Sequence, residues 1–155
     1  MKILVISDTH GNYLAPLSFL EETGAQLLIH LGDEIADARA LEQLLSIPVI
    51  KVPGNCDQGA KEPRELLESI AGNRIFITHG DIYRVKYGLD RLAEKAAAMK
   101  ATVALFGHTH KPAIQKQDGV LLINPGTLMA ASDSKSYAIL TVSSSAVTAE
   151  IFHLP

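Results

Sequence analysis

The first two thirds of the chain alternate between short, mainly apolar runs and segments with helical spacing. The runs are rich in Val, Ile and Leu and lack the polar alternation of a half-exposed strand, which is typical of strands buried on both faces. These runs are Ile3–Ile6, Leu27–Leu31, Val49–Val52, Ile75–Thr78 and Val103–Phe106. Strands that alternate with helices predict an α/β fold with a largely parallel sheet and crossover helices.

The segments between the runs predict the helices. Apolar residues recur at i, i+3 and i+4 in Leu41–Leu45 and extend to i+7 in Leu89–Ala96. A further helix is predicted over Tyr13–Glu22, with Asn12 as its cap and Pro16 in its first turn. These helices supply the crossovers that parallel strands need.

The last third of the chain has no helical spacing and predicts strands joined by turns. Turn residues stand at Gln117–Gly119 and at Ser143–Ser145. The predicted strands are Pro112–Lys116, Val120–Ile123, Tyr137–Val142 and Val147–Phe152. We expect this part to be antiparallel and to form or complete a second sheet, with residues 1–155 making one domain.

Composition limits the class of protein. Hydrophobic residues make up 47% and charged residues 20%, which indicates a packed chain rather than a disordered one. The net charge is −3 without a Lys/Arg cluster, so we expect no binding to extended nucleic acid. The apolar run at the start is too short for a membrane span, and the single cysteine predicts a reducing cytoplasm.

Polar residues follow each of the five apolar runs where the strand ends. The sequences are SDTHGN from position 7, GD from 32, PGNCD from 53, HGD from 79 and GHTH from 107. Ligands of open α/β sheets bind beyond the carboxyl ends of the strands. Five loops that are distant in sequence are therefore expected to converge on one pocket.

The residue types in these loops are those that bind transition metals. Asp-x-His and His-x-His place two side chains on one side of an extended segment. Imidazole with carboxylate suits Mn, Fe, Zn, Co or Ni better than Mg or Ca. The seven candidate donors exceed the four of a closed zinc site and suit two ions about 3.5–4 Å apart. They are Asp8, His10, Asp33, Asn55, His79, His108 and His110.

Each motif taken alone also has an ordinary structural explanation. Asp8 could cap the following helix, His108 and His110 could be a surface pair, and Asn55 after Pro-Gly could be a turn residue. Five motifs in order, each at a strand end, favour metal binding over these alternatives.

The motifs SDTHG, LGD, PGNCD, THGD, GHTH and NPGT together resemble the calcineurin-like metallophosphoesterase superfamily. More closely, they resemble its compact bacterial and archaeal phosphodiesterase group. The resemblance implies a four-layer αββα sandwich with two mixed β-sheets. It also implies a hydrolase acting on the phosphodiester bond of a small phosphate ester, and it leaves a homo-oligomer open.

The resemblance further implies two divalent metal ions, with manganese expected first and Ni, Zn, Co or Fe as alternatives. The first ion would be held by Asp8, His10 and His110. The second would be held by Asn55, His79 and His108, with Asp33 bridging both. A water or hydroxide shared by the ions would be the nucleophile, so Asp33, Asn55 and His108 are expected to act in catalysis through bound water.

The chain departs from the broad superfamily directly after Asn55. Many members carry a histidine there, near the leaving-group oxygen, whereas this chain has Cys56. A thiol with an ordinary pKa of about 8.5 is a poor general acid at neutral pH. We therefore expect better activity on phosphodiesters with acidic leaving groups than on alkyl phosphomonoesters.

Other residues are expected to support or line the site. Cys56 is expected to line the pocket, and Asp57 either orients a ligand or caps a helix near Glu62–Ile70. The segment with Asn124, Gly126 and Thr127 is expected to support the ligands, although a plain Pro-Gly turn would look the same.

Two histidines lie outside the motifs, and two other functions remain as alternatives to a phosphodiesterase. We expect His30 to be a buried structural residue and His153 to lie on the surface. A phosphomonoesterase or nucleotide pyrophosphohydrolase is the alternative within enzymes, and a non-catalytic protein-binding scaffold is the alternative outside them. Every motif position holds a competent donor, which favours an enzyme.

Overall fold

The structure is a computed structural model that describes residues 1–155. Ten strands and three α-helices follow one another along the chain, and two short 3-10 turns cover Asp81–Tyr83 and Val85–Tyr87. The strands are β1 (Lys2–Ile6), β2 (Leu27–His30), β3 (Val49–Lys51), β4 (Glu65–Ile70), β5 (Asn73–Thr78), β6 (Val103–Leu105), β7 (Ala113–Gln117), β8 (Val120–Asn124), β9 (Ser136–Val142) and β10 (Val147–His153). The helices are α1 (Ala15–Thr23), α2 (Ile35–Leu44) and α3 (Asp90–Ala98).

The strands form two five-stranded mixed sheets, with the orders β10-β9-β1-β2-β3 and β4-β5-β6-β8-β7. In the first sheet β1, β2 and β3 are parallel, and in the second β5, β6 and β8 are parallel. The outer strands pair antiparallel. The parallel strands of each sheet therefore end at one common edge.

Strand β1 shows why its sequence is apolar throughout. Ile3 and Val5 face the second sheet and pack in one cluster with Ile75 and Ile77 of β5. Leu4 and Ile6 point the other way and pack against helices α1 and α2. Because neighbouring side chains of a strand point to opposite faces, a strand covered on both sides needs apolar residues at every position.

The second sheet has a matching outer layer. Phe76 and Ala104 on its outer face pack against Leu92 and Ala96 of α3. The order of layers is therefore helix, sheet, sheet, helix. This is the predicted αββα sandwich with two mixed sheets, which the structure confirms.

Two local predictions near the helices are wrong. The segment 62–70 is not a helix, because β4 pairs antiparallel with β5 through a two-residue turn. Both turn residues, Ala71 and Gly72, have positive φ angles of 47° and 81°, the geometry of a hairpin turn. Asn12 does not cap α1, which begins at Ala15, and its amide instead donates to the Leu128 carbonyl at 2.8 Å.

The C-terminal strands divide between the two sheets, which only partly matches the prediction of an antiparallel second sheet. Strands β7 and β8 complete the second sheet as an antiparallel pair, but β8 also lies parallel to β6. Strands β9 and β10 extend the first sheet, where β9 pairs with β1. The turn at Asp118 and Gly119 lies where it was predicted.

None of the helices combines the length and the hydropathy that a membrane-spanning segment requires.

Candidate metal centre

Backbone hydrogen bonds join the loops that follow the parallel strands of both sheets. The Asp8 N–H donates to the Gly32 carbonyl at 2.9 Å, which joins the loops after β1 and β2. The Gly107 N–H donates to the His79 carbonyl at 2.8 Å, which joins the loops after β6 and β5. The two sheets meet where the His108 N–H donates to Asp8 Oδ2 at 3.1 Å. The expected convergence of distant loops is therefore present.

A first ligand group consists of Asp8, His10 and His110, whose donor atoms lie within 4.8 Å of one another. Asp8 Oδ1 lies 3.0 Å from His110 Nε2 and 3.9 Å from His10 Nε2. Asp8 is fully buried, whereas the two imidazoles reach the surface. This group combines one carboxylate with two imidazoles.

A second ligand group consists of Asp33, Asn55, His79 and His108. The donor atoms of Asp33, His79 and His108 lie within 4.8 Å of one another. His79 Nε2 lies at their centre, 3.3 Å from Asp33 Oδ2 and 3.2 Å from His108 Nδ1. Asn55 Oδ1 lies 3.1 Å from the same nitrogen. The two groups adjoin, because Asp8 Oδ1 is 4.0 Å from His79 Nε2.

The donor atoms have the unsatisfied lone pairs that a cation would use. Asp8 Oδ1 and His10 Nε2 are buried and have no hydrogen-bond partner. The His79 Nδ1–H lies 2.7 Å from the Leu31 carbonyl, to which it can donate. His79 Nε2 then faces the oxygens of Asn55 and Asp33, all of them acceptors. Carboxylate, amide and imidazole lone pairs that converge in this way fit divalent metal ions.

The charges in the site shift its pKa values in directions that agree with this geometry. Burial alone would lower the pKa of His79, but the Asp33 and Asp8 carboxylates raise it above its usual value. Burial alone would raise the pKa of Asp33, but His79 and the Cys56 N–H hold it below its usual value. Without a metal, a proton on His79 would balance these carboxylates, and a bound cation would take its place.

The backbone is strained at the donors themselves. Five donors have positive φ angles, although none of them is glycine, and L-residues avoid this region at a cost of about 1–3 kcal/mol each. They are Asp8 (53°), His10 (43°), Asp33 (48°), His108 (69°) and His110 (60°). Strain concentrated at one set of side chains indicates a site whose geometry is held for function.

Gly107 allows the closest approach between the two sheets. A Cβ atom at this position would lie 2.0 Å from Ser7 Oγ and 2.8 Å from Asp8 Oδ2. Only glycine therefore permits the His108 loop to pack directly on Asp8, which explains the glycine of the GHTH motif.

The match to known proteins agrees with the fold and with these loops. Residues 1–145 match the profile of the calcineurin-like phosphoesterase superfamily domain. The chain belongs to this superfamily. The prediction of the family is confirmed, and so is the enzyme class, a hydrolase of phosphoric ester bonds.

Two curated relatives show how far the sequence similarity extends. The probable metallophosphoesterase YsnB of Bacillus subtilis is 35% identical over 98% of this chain and 90% of its own length. The phosphodiesterase YfcE of Escherichia coli is 30% identical over 83% of this chain and 79% of its own.

Solved structures at lower identity share the fold. A protein from Streptococcus pneumoniae, described as a predicted phosphoesterase, superposes with a TM-score of 0.81 at 24% identity, covering 98% of this chain and 88% of that one. Vps29 from Entamoeba histolytica, solved with Zn²⁺, superposes with a TM-score of 0.74 at 23% identity over 99% of each chain. At these identities the similarity shows the fold alone.

The segment from Asn124 to Thr127 forms hydrogen bonds with the backbone of the loops that carry Asp8 and His108. The Thr127 hydroxyl donates to the Asp8 carbonyl at 2.8 Å, and the Asn124 amide donates to the Gly107 carbonyl at 3.0 Å. The Gly126 N–H donates to Asn124 Oδ1 at 2.8 Å. The Ser7 hydroxyl lies 2.5 Å from Asp8 Oδ2, which leaves Oδ1 as the free oxygen of Asp8.

Asp57 holds the loops of the second ligand group together. Its carboxylate accepts N–H bonds from Asp33 at 3.0 Å, Gly54 at 2.7 Å and Ile35 at 2.8 Å. Ile35 is the first residue of α2. Of the two alternatives expected for Asp57, the helix over 62–70 does not exist, and the contact with the Asp33 backbone is present.

Cys56 contributes its backbone to the site more than its thiol. Its N–H donates to Asp33 Oδ1 at 3.0 Å, which leaves Oδ2 facing His79. The residue is exposed, and its Sγ lies 3.7 Å from the Asn55 amide nitrogen. Burial and the neighbouring Asp33 raise the pKa of the thiol to about 11.

His30 takes part in a buried network that sequence reasoning missed. It is fully buried, as predicted, and its Nδ1 accepts the Gly32 N–H at 3.1 Å. Its Nε2 lies 3.0 Å from the Thr9 hydroxyl, which donates to Asp37 at 2.6 Å. Burial lowers the pKa of His30 to about 4, so the ring is neutral and can bridge the loops after β1 and β2. Positions 9, 30 and 37 have no shared motif that could have revealed this contact.

Proposed function

We propose that the protein is a metal-dependent phosphodiesterase that holds two divalent ions in its two ligand groups. The first ion would be bound by Asp8, His10 and His110. The second would be bound by Asn55, His79 and His108, with Asp33 shared between the ions. The observation that carries this proposal is the convergence of carboxylate and imidazole ligand atoms in two adjoining groups, in which Asp8 Oδ1 and His10 Nε2 are buried without a hydrogen-bond partner.

The number of donors supports a pair of ions rather than one, because seven candidate donors exceed the four of a closed single-metal site. The two groups adjoin, with Asp8 Oδ1 4.0 Å from His79 Nε2, as a two-metal centre requires. Imidazole, carboxylate and one amide oxygen form a donor set that accepts Mn, Fe, Co, Ni or Zn. The resemblance to the superfamily makes Mn²⁺ the first ion to test.

When bound, the ions would supply an activated water and neutralise charge on the phosphate oxygens. The chain's own part is to orient the donors. The Cys56 N–H and Asp57 set the rotamer and backbone of Asp33. Ser7 and the His108 N–H set the rotamer of Asp8 in the same way.

The residue after Asn55 supports a preference for diesters with acidic leaving groups. A thiol is a weaker general acid than an imidazolium, so Cys56 gives a departing alkoxide less help at neutral pH than a histidine would. An aryl phosphodiester needs no such help, because its leaving group is stable as an anion. We therefore expect higher kcat/KM for bis(p-nitrophenyl) phosphate than for an alkyl phosphomonoester.

The test is turnover of bis(p-nitrophenyl) phosphate by purified protein loaded in turn with Mn, Ni, Co, Zn and Fe. At least one metal should restore turnover after chelation. Asp33→Ala should reduce kcat/KM by about 10³-fold or more, because it removes a donor shared between the ions. Asp133→Ala is the matched control, since Asp133 is exposed and has no contact with the site.

Two outcomes would favour the alternatives. Equal or faster turnover of simple monoesters would point to a phosphomonoesterase. Absence of turnover with every metal would favour a non-catalytic scaffold, and full activity of Asp33→Ala would contradict the site assignment.

A further inference from the structure

A groove of about 450 Å³ lies beside the metal centre, between the 3-10 turn after β5 and the loop after β6. One wall is formed by Val85, Lys86 and Leu89, and the other by Thr109 and Lys111, with Phe106 at the floor. Its volume falls in the range of about 300–1,000 Å³ that is usual for small-molecule sites. We call it the Lys86–Lys111 groove.

Both walls of the groove start at residues of the second ligand group. Thr109 lies between His108 and His110 in the chain. On the other wall, Val85 packs on Gly80, the residue after His79, where a Cβ would lie 2.9 Å from Val85 Cγ2. The groove is therefore lined by residues that adjoin the segments carrying His79 and His108.

The groove has two cations without anionic partners. Lys86 and Lys111 are exposed, and neither ammonium forms an ion pair or a hydrogen bond, whereas Lys51 and Lys95 elsewhere are paired. The nearby Asp81 does not balance them, since it is paired with Arg64 at 2.5 Å.

The floor between the two lysines is apolar. Phe106 and Val85 are buried in the cluster under α3, and Leu89 packs on the same cluster while remaining partly exposed. A ligand in the groove would therefore meet an apolar surface with a positive charge on each side. A neutral polar ligand or a cationic one has no complement there.

We propose that the Lys86–Lys111 groove binds one ester arm of the substrate, and that this arm combines an apolar body with an anionic group. The proposal rests on the proposed function, because it assumes that the phosphoester itself lies at the ligand groups. The apolar body packs on Leu89 and Phe106, and the anionic group, a carboxylate or a second phosphate, lies between the two ammonium groups. The native substrate is then an anionic-arm diester rather than a choline-type or uncharged one.

A binding measurement tests the groove without turnover. The probes are phenylphosphonate, 4-carboxyphenylphosphonate and 1,4-phenylenediphosphonate, titrated calorimetrically into the Mn-loaded protein. We expect the two anionic-arm probes to bind about tenfold more tightly than phenylphosphonate, as for two exposed ion pairs. The better of the two identifies the anionic group. The preference should weaken between about 0.05 M and 0.5 M salt.

Paired variants locate the preference. K86Q/K111Q should abolish it and leave phenylphosphonate binding unchanged, since both lysines are exposed and unpaired. Lys116→Gln is the matched control, because Lys116 is an exposed lysine on β7 that faces a different pocket. It should retain the full preference. An equal loss in Lys116→Gln, or no preference in the unmodified protein, would overturn the proposal.

Kinetics separate this proposal from the proposed function. The substrates are p-nitrophenyl diesters that share a leaving group and differ in the second arm: phenyl, 4-carboxyphenyl or choline. The carboxyphenyl ester should have a KM about tenfold below that of the phenyl ester, with the choline ester above both. Turnover without charge preference overturns the groove alone. Probe preference without turnover supports the groove and overturns the proposed function.

Discussion

The two ligand groups have the same chemistry but different surroundings. In the first, the side chains of His10 and His110 are 27% and 33% exposed. In the second, the side chains of His79 and Asp33 are 0% and 4% exposed. The second group also has a fourth donor, Asn55, which the first lacks.

This difference in exposure predicts which of the two proposed ions binds tightly and which exchanges readily with solvent. A group with one buried carboxylate and two partly exposed imidazoles releases an ion more readily than a group in which both Asp33 and His79 are buried. The second group, however, also attracts a proton, because the carboxylates raise the pKa of His79. We therefore expect a first site that loads and empties quickly and a second that binds tightly but depends on pH.

The largest expected effect comes from removing one donor from each group. His10→Ala leaves only Asp8, His110 and the shared Asp33 for the first ion and should reduce bound metal from two ions to one, with kcat/KM falling about 10³-fold or more. Asn55→Ala removes only a neutral amide and leaves three stronger donors, so affinity for the second ion should fall about tenfold. Elemental analysis after dialysis against buffered Mn²⁺ measures both.

The control for this pair is His153→Ala, since His153 is exposed at the end of β10. It should retain both ions and full activity. Equal metal loss in His10→Ala and Asn55→Ala would break the comparison between the more exposed first group and the more buried second group.

The next effect is the pH dependence of metal binding. Binding at the second group must displace a proton from His79, so affinity should fall about tenfold per pH unit below the raised pKa of His79. In the metal-free protein, the contribution of His79 to the stability of the fold changes with pH in the opposite direction from metal affinity. The raised pKa of His79 stabilises the fold below about pH 6.5, and this contribution disappears as pH rises through the folded-state value. The depressed pKa of Asp33 stabilises the fold above about pH 4.

Thermal unfolding with and without Mn²⁺ between about pH 6 and pH 9 measures this. The stabilisation by metal should grow with pH. In His79→Gln the increase should be smaller, because one of the protons that compete with the metal is removed. An unchanged slope in that variant would show that His79 is not the group that competes.

A smaller effect separates the two groups through their glycines. Gly107→Ala places a Cβ against Ser7 and Asp8, and Gly54→Ala places one 2.0 Å from Asp33 Oδ1. Each should destabilise the fold by about 1–3 kcal/mol and weaken metal binding, through Asp8 in Gly107→Ala and through Asp33 in Gly54→Ala. Chemical denaturation and metal titration of each variant measure these effects.

Gly59→Ala is the control, because no atom lies within 4 Å of its Cβ position, although its φ of 77° is strained for alanine. It should lose about 1 kcal/mol of stability and retain both ions. Metal loss in this variant would mean that lower stability, not contact with Asp8 or Asp33, empties the groups.

Sequence reasoning succeeded where the determining interactions are local and failed where they are tertiary. The buried strands and the family motifs carry their own pattern, so the αββα fold was predictable. The pattern of residues 62–70 fits a helix as well as a strand, and only pairing with β5 makes it a strand. Two other tertiary features join residues that share no motif. They are the hydrogen bonds of His30, Thr9 and Asp37, and the placement of Lys86 and Lys111 on opposite sides of one groove.

The smallest expected effect is at Cys56, next to the donor that distinguishes the second group. The pKa of its thiol is about 11, and its backbone N–H, not its sulfur, holds Asp33. Cys56→Ala should therefore change metal affinity and diester kcat/KM by less than about twofold.

Cys56→His adds an imidazole that can protonate a leaving group, and should raise the ratio of monoester to diester kcat/KM about tenfold or more. Metal loss in Cys56→Ala would mean that the thiol is a fifth donor, which would widen the contrast between the two groups. An unchanged ratio in Cys56→His would mean that leaving groups depart on a side of the centre that position 56 does not reach.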